Sequence, residues 1–151
     1  MADGPPGLPG EAGDEFALPP GQVYDWYTRA RQLHDDGDPA GAVELLQWAA
    51  AAEPQARSVR EALARALFDA RRFAEAAETF ASIVGEDPAD HYAQFGLGLS
   101  SLRRGQADLA VNHLAIAVAL RPEREEYGVA LRSARAAQAR SAGPIPPEVG
   151  E

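Results

Sequence analysis

His34, Asp35, Asp36 and Asp38 form the densest His and carboxylate cluster in the chain. An imidazole with three carboxylates could hold a divalent metal. The spacing, however, fits no ordinary calcium or zinc motif. Gly37 and Asp38-Pro39 read instead as a tight turn, then a helix cap with Pro at the first helical position. His91 lies beside Asp87 and Asp90 at the expected start of a helix, and His113 is expected on a helix surface. The segment from Phe95 to Ser100 (FGLGLS) carries half of a nucleotide-binding fingerprint in Gly96 and Gly98. No strand precedes it, and close helix packing accounts for both glycines better. The Ser residues lack an elbow motif and partners of His and acid type. There is no Cys, which excludes disulfides, thiolate zinc sites, iron–sulfur clusters and cysteine nucleophiles. The expectation is therefore no enzyme, no metal and no cofactor.

Charge narrows the partners. The net charge is -9, and all 14 basic residues are Arg. Asp3, Glu11, Asp14 and Glu15 lie in the first 21 residues, and Glu148 and Glu151 in the last 11, with no Arg in either stretch. The stretch from Gln22 to Arg140 carries only -3. A near-neutral middle flanked by acidic ends offers no electrostatic footprint for nucleic acid. No apolar run reaches the roughly 20 residues that span a bilayer, so no membrane partner is expected. The start of the sequence lacks a basic then apolar leader, and the location expected is cytoplasmic.

Ala, Leu, Arg, Gln and Glu dominate the middle of the chain, and no run alternates with the period of a strand. The fold class expected is all-α. Residues 1–21 are rich in Gly, Pro and acid, and 141–151 contain three Pro; both are read as disordered tails around a domain over 22–140. Helices are expected near 22–35, 39–52, 56–70, 73–86, 89–103, 107–120 and 123–140.

An internal repeat organises these seven helices. Pro54, Pro88 and Pro122 are spaced by 34 and 34 residues. Ala42, Ala76 and Ala110 share that interval, as do Leu46, Phe80 and Leu114, Ala49, Ile83 and Ala117, and the small residues Ala30, Ala64 and Gly98. Leu33, Leu67 and Ser101 follow less faithfully. Several rows with one period indicate stacked supersecondary units. The pattern resembles the tetratricopeptide repeat family, with units at 23–56, 57–90 and 91–124 and a solvating helix over 123–140. Arg29, Arg60, Gln94 and Ser101 depart from the family's usual residues. The resemblance implies a right-handed α-superhelix of helix-turn-helix units. Phe80, in the central unit, should then be buried, Trp26 should be core, and Trp48 should cover the seam between repeats or be partly exposed.

The same resemblance implies a function. Stacked pairs leave a concave groove lined by the first helix of each repeat. The family's groove positions fall on Tyr24, Tyr27, Arg31, His34 and Asp35, on Ser58, Glu61, Arg65, Phe68 and Asp69, and on Tyr92, Phe95, Leu99, Leu102 and Arg103. Of these, Tyr24, Tyr27, Arg31, Arg65, Phe68, Tyr92, Phe95, Leu99, Leu102 and Arg103 are expected to bind a peptide or protein segment, since aromatics and Arg dominate binding hot spots. Some family members grip the C-terminal carboxylate of chaperones with Lys, Asn and Arg. This chain has no Lys, its one Asn is Asn112, and Phe95 and Leu99 stand where basic residues are needed. A self-associating scaffold, dimerising through the cap or the convex face, is the alternative. Asp14, Glu15, Phe16, Ala17 and Leu18, acidic then apolar, directly precede repeat one and could fold back onto the groove entrance.

Overall fold

A computed structural model describes residues 20–143. The segment 14–18 and most of both expected tails lie outside the described residues. Seven helices follow one another: α1 (Pro20–Asp35), α2 (Pro39–Ala52), α3 (Arg57–Asp69), α4 (Phe73–Glu86), α5 (His91–Arg103), α6 (Ala107–Leu120) and α7 (Glu125–Ala142). Among the described residues there is no strand. None of the described helices is long and apolar enough to cross a membrane. The helices agree with the periodicity to within two residues at every end. Four ends shift by two residues: 20 and 21, expected in the tail, open α1, 141 and 142 extend α7, and α5 and α7 begin at His91 and Glu125 rather than near 89 and 123. Pro is tolerated in a first helical turn, where its missing N–H has no intrahelical acceptor.

Local chemistry sets the turns. Asp38 caps α2, its Oδ1 accepting from the Gly41 N–H at 2.9 Å. Asp90 caps α5 in the same way through the Ala93 N–H at 3.0 Å. Gly37 and Gly105 hold positive φ angles of 92° and 78° at the ends of α1 and α5, a conformation that costs Gly little.

The repeat rows are the core. Ala30, Ala64 and Gly98, the Ala42 row, the Leu46 row and the Ala49 row are all buried. Small residues bring paired helices close: a Cβ on Gly98 would lie 2.6 Å from Leu114 Cγ. The large residues of the Leu46 row fill the space between each pair. Trp26 is buried, and Trp48 packs on it within repeat one with ring centroids 5.9 Å apart, partly exposed.

Arg60 and Gln94 stand where Trp26 stands in repeat one, and both are buried as well. Each finds hydrogen-bond partners, although the buried Arg60 Nε has none. The Arg60 guanidinium donates to Glu86 at 2.8 Å and to Ser82 at 3.3 Å. The Gln94 amide donates to the Pro88 carbonyl at 2.9 Å. That bond orients the Gln94 Oε1 toward His113, whose Nδ1–H donates to it at 2.9 Å. His113, expected on the surface, is thus half-buried because Gln94 gives it a partner.

Across repeats, α2 packs on α3, α4 on α5 and α6 on α7, and contacts between like helices are one-sided. α1 touches α3, α3 touches α5 and α5 touches α7, while α2, α4 and α6 do not touch one another. First helices are close on one side and second helices splay on the other, so the stack is an all-α solenoid with a concave face made by α1, α3, α5 and α7.

Candidate functional site

Two cavities lie side by side on the concave face. The first, of about 230 Å³, runs between α1 and α3. Tyr27, Arg31, His34 and Asp35 line it from α1, and Ser58, Glu61 and Arg65 from α3; Ala30 and Leu46 form its floor. The Arg31 guanidinium sits 5.8 Å from the Tyr27 ring centroid. His34 Nε2 and Asp69 Oδ2 are 2.5 Å apart and tie α1 to α3 at one end. His34 therefore bridges two repeats, and Asp38 from the same cluster caps a helix. Among the described residues no three His, Asp or Glu side chains converge as a metal site would need.

The second cavity, of about 160 Å³, lies between α3 and α5. Arg65, Phe68 and Asp69 line it from α3, and Tyr92, Phe95, Gly96 and Leu99 from α5, over a floor of Phe80 from α4. Arg65 borders both cavities, which adjoin at it along the same face. The aromatic rings form a run: Phe80 meets Tyr92 edge-on at 6.1 Å, Tyr92 lies 6.3 Å from Phe95, and Phe95 stacks on Tyr127 at 4.5 Å. Tyr127 is buried, and its hydroxyl shares a 2.8 Å hydrogen bond with His91 Nδ1. Burial pushes the Tyr92 phenol above its ordinary pKa, with Arg65 partly opposing. Its hydroxyl stays protonated at neutral pH and can donate to an occupant.

The expected groove residues divide by place. Tyr27, Arg31, Arg65, Phe68, Tyr92, Phe95 and Leu99 line the two adjoining cavities. Tyr24 is 67% exposed and lies at the outer edge of α1, beside Ala56 and Val59. Leu102 is half-buried against the α6–α7 core, three residues beyond Leu99 on the same face of α5. Arg103 is exposed and lies 5.3 Å from the Phe68 ring centroid. Phe80 as the floor and Tyr127 as the buried ring behind Phe95 were not among the residues the sequence singled out for the groove. Phe80 was legible only as core, and Tyr127 lies on the capping helix, outside the repeats.

Comparison with known proteins follows from this geometry. The tetratricopeptide repeat profile matches residues 27–91 and again 62–125, together about two thirds of the chain. The chain belongs to the tetratricopeptide repeat family. Solved tetratricopeptide structures share its fold. The first tetratricopeptide domain of Spaghetti (RPAP3), bound to the HSP90 peptide SRMEEVD, is 17% identical with a TM-score of 0.74, covering 82% of this chain and 98% of that one. The second tetratricopeptide domain of human RPAP3, in complex with the HSP70 peptide SGPTIEEVD, is 16% identical with a TM-score of 0.70, covering 76% and 96%. MamA from Desulfovibrio magneticus RS-1 is 19% identical with a TM-score of 0.68, covering 80% and 74%. No curated protein sequence matches. The tetratricopeptide repeat is a non-enzymatic protein-interaction scaffold.

Proposed function

We propose that the chain is a non-enzymatic binding module that takes a peptide or protein segment along the concave groove of α1, α3 and α5. One observation carries this reading. Half-buried Tyr27, Phe68, Tyr92 and Phe95 line two neighbouring cavities that adjoin at Arg65. Half-buried aromatics with an Arg among them are what a binding hot spot requires, since an occupant desolvates them on docking. The RPAP3 domains, which share the fold, were solved with peptides, and this supports a peptide as the occupant. It does not transfer those peptides: Phe95 and Leu99, not basic residues, face the α5 side of the groove.

Affinity capture from a cell lysate tests the proposal. Wild type is compared with Tyr27→Ala plus Phe95→Ala, and with Leu109→Ala plus Ile116→Ala on α6. Loss of the captured set only in the groove variant is the expected result. Equal capture by wild type and the groove variant would remove the groove from the function.

A second reading rests on Leu109, Ile116 and Val129, large apolar residues that are 47%, 40% and 55% exposed on α6 and α7. They support a homodimer through the cap or the convex face. Size-exclusion chromatography with light scattering decides it, and a strict monomer at high concentration dismisses it.

A further inference from the structure

The turn after α3 breaks a rule that its neighbours keep. Gly37, Arg71 and Gly105 occupy the same position in successive repeats, 34 residues apart. All three have positive φ, at 92°, 65° and 78°. Repeats one and three use Gly, which enters this region freely; repeat two places Arg there against the steric preference of an L side chain. Arg71 is the sole non-Gly positive-φ residue among those described. A strained backbone of this kind persists where something else holds it, and such positions concentrate at binding sites.

The Arg71 side chain shows what is held. Its guanidinium carbon is 5.5 Å from the Phe73 ring centroid. The Arg103 guanidinium lies 5.4 Å from the same ring and 5.3 Å from Phe68. Phe68 and Phe73 meet edge-on at 5.1 Å. Two cations are thus seated on one aromatic pair, and Phe68 is also a wall of the α3–α5 cavity. Arg57, Arg60, Arg72, Arg121 and Arg124 each pair with a carboxylate. Among the described residues, neither Arg71 nor Arg103 does. A guanidinium seated near an aromatic ring keeps N–H donors for a carboxylate.

We infer that Arg71 and Arg103 form an anion-reading edge at the mouth of the α3–α5 cavity. Its occupant is an acidic peptide segment in which an Asp or Glu side chain flanks a bulky apolar one. The apolar side chain enters between Phe68, Tyr92 and Phe95, and the carboxylate takes charge-assisted hydrogen bonds from Arg71 and Arg103. Charge complementarity selects this occupant: the two cations are exposed, reach the aromatic wall of a cavity also lined by Arg65 and by Asp69, whose carboxylate is paired with His34, and have no carboxylate partner of their own among the described residues. The inference rests on the groove reading above and adds a register and a chemistry to it. It also explains why Arg is kept where Gly would relax the backbone.

The test is selection from a displayed library of random twelve-residue peptides on immobilised full-length protein. Wild type is run beside Phe95→Ala, Arg71→Gly and Arg103→Gln. Wild type should enrich peptides with Asp or Glu within two or three residues of Phe, Leu or Trp. Arg71→Gly should raise the thermal midpoint by a few degrees, because the strain is relieved. It should nevertheless enrich apolar peptides without the acidic preference, and bind the top wild-type peptide about 5–10-fold more weakly, as loss of one charge-assisted bond predicts. Arg103→Gln should weaken the same peptide similarly. Enrichment that depends on Phe95 but keeps its acidic content in both Arg variants would overturn the anion edge and leave the groove standing. Enrichment indifferent to Phe95→Ala would overturn both. A lower midpoint for Arg71→Gly would refute the strain argument on its own.

Discussion

Replacing Gly96 by Ala sets two known effects against each other, and the structure decides the sign. Gly96 lies in the middle of α5, where Gly→Ala ordinarily stabilises a helix by about 0.5–1 kcal/mol. Here a Cβ would overlap the ring of Phe80, which is 2% exposed and wedged between repeats two and three. Overpacking a filled core costs about 1–3 kcal/mol. The net effect is a loss of about 1–2 kcal/mol. Gly128 in α7 is the internal control, because a Cβ there meets only the Arg132 guanidinium, at 3.7 Å. The same substitution at Gly128 should gain about 0.5–1 kcal/mol. The 124 described residues give about 0.26 kcal/mol per degree of unfolding entropy, so 1 kcal/mol is about 4 °C. Thermal unfolding followed by far-UV circular dichroism should show Gly96→Ala about 4–8 °C lower and Gly128→Ala about 2–4 °C higher than wild type. In a Phe80→Leu background the ring is gone, and Gly96→Ala should lose most of its penalty, a coupling of about 1 kcal/mol or more. A rise for Gly96→Ala matching that of Gly128→Ala, or an undiminished loss in the Phe80→Leu protein, would refute the reasoning.

Phe80→Ala should cost about 3–5 kcal/mol in urea denaturation, as large-to-small core changes do. Arg72→Ala, which breaks only an exposed pair with Glu75 at 2.8 Å, should cost under about 1 kcal/mol, and equal losses would contradict the packing. Asp38→Ala removes the α2 cap and should cost about 1 kcal/mol; an unchanged urea midpoint would show that the cap contributes nothing. Burial holds the His113 imidazole below its ordinary pKa, so the unfolded chain takes up the proton first. Its contribution is therefore full above about pH 6.5 and declines as the pH falls below that value, and His113→Gln should flatten stability measured between about pH 7 and pH 5. An identical slope in that variant would assign the decline to other groups.

The repeat made the helices and their core legible before any coordinates, because each row answers to one packing requirement. Ala30, Ala64 and Gly98 must be small for the paired helix to approach, and Leu46, Phe80 and Leu114 must be large to fill what remains. Residues that satisfy a requirement in a different chemistry were harder to read. Arg60 and Gln94 look like losses of an aromatic, and only their partners on α4, on α6 and in the turn after α4 show that burial is kept. The turn at Arg71 was available in the sequence, since the Gly37 and Gly105 spacing points to it. Its meaning was not, because a positive φ and two stacked guanidiniums are facts of conformation. The groove positions followed from the resemblance. Which of them share a cavity, and that two adjoin at Arg65, required the distances between helices.

The one-sided packing of the stack has a mechanical consequence. Each seam is packed mainly by the second helix of one repeat against the first helix of the next, first helices also approach one another and successive second helices do not, so a seam flexes by opening or closing the outer gap between second helices. Such a body bends like a jointed spring rather than a rod. Rotation at successive seams accumulates along the axis, so the separation of α1 from α7 changes more than that of α3 from α5. Softness is therefore concentrated at the ends of the groove, where Tyr24 and Arg31 on α1 and the capping α7 sit. The cavity floored by Phe80 spans one seam alone. A ligand gripped only there leaves the spring free, whereas one that also reaches Arg31 stiffens it, and force applied to the two ends would be felt first by the longer ligand.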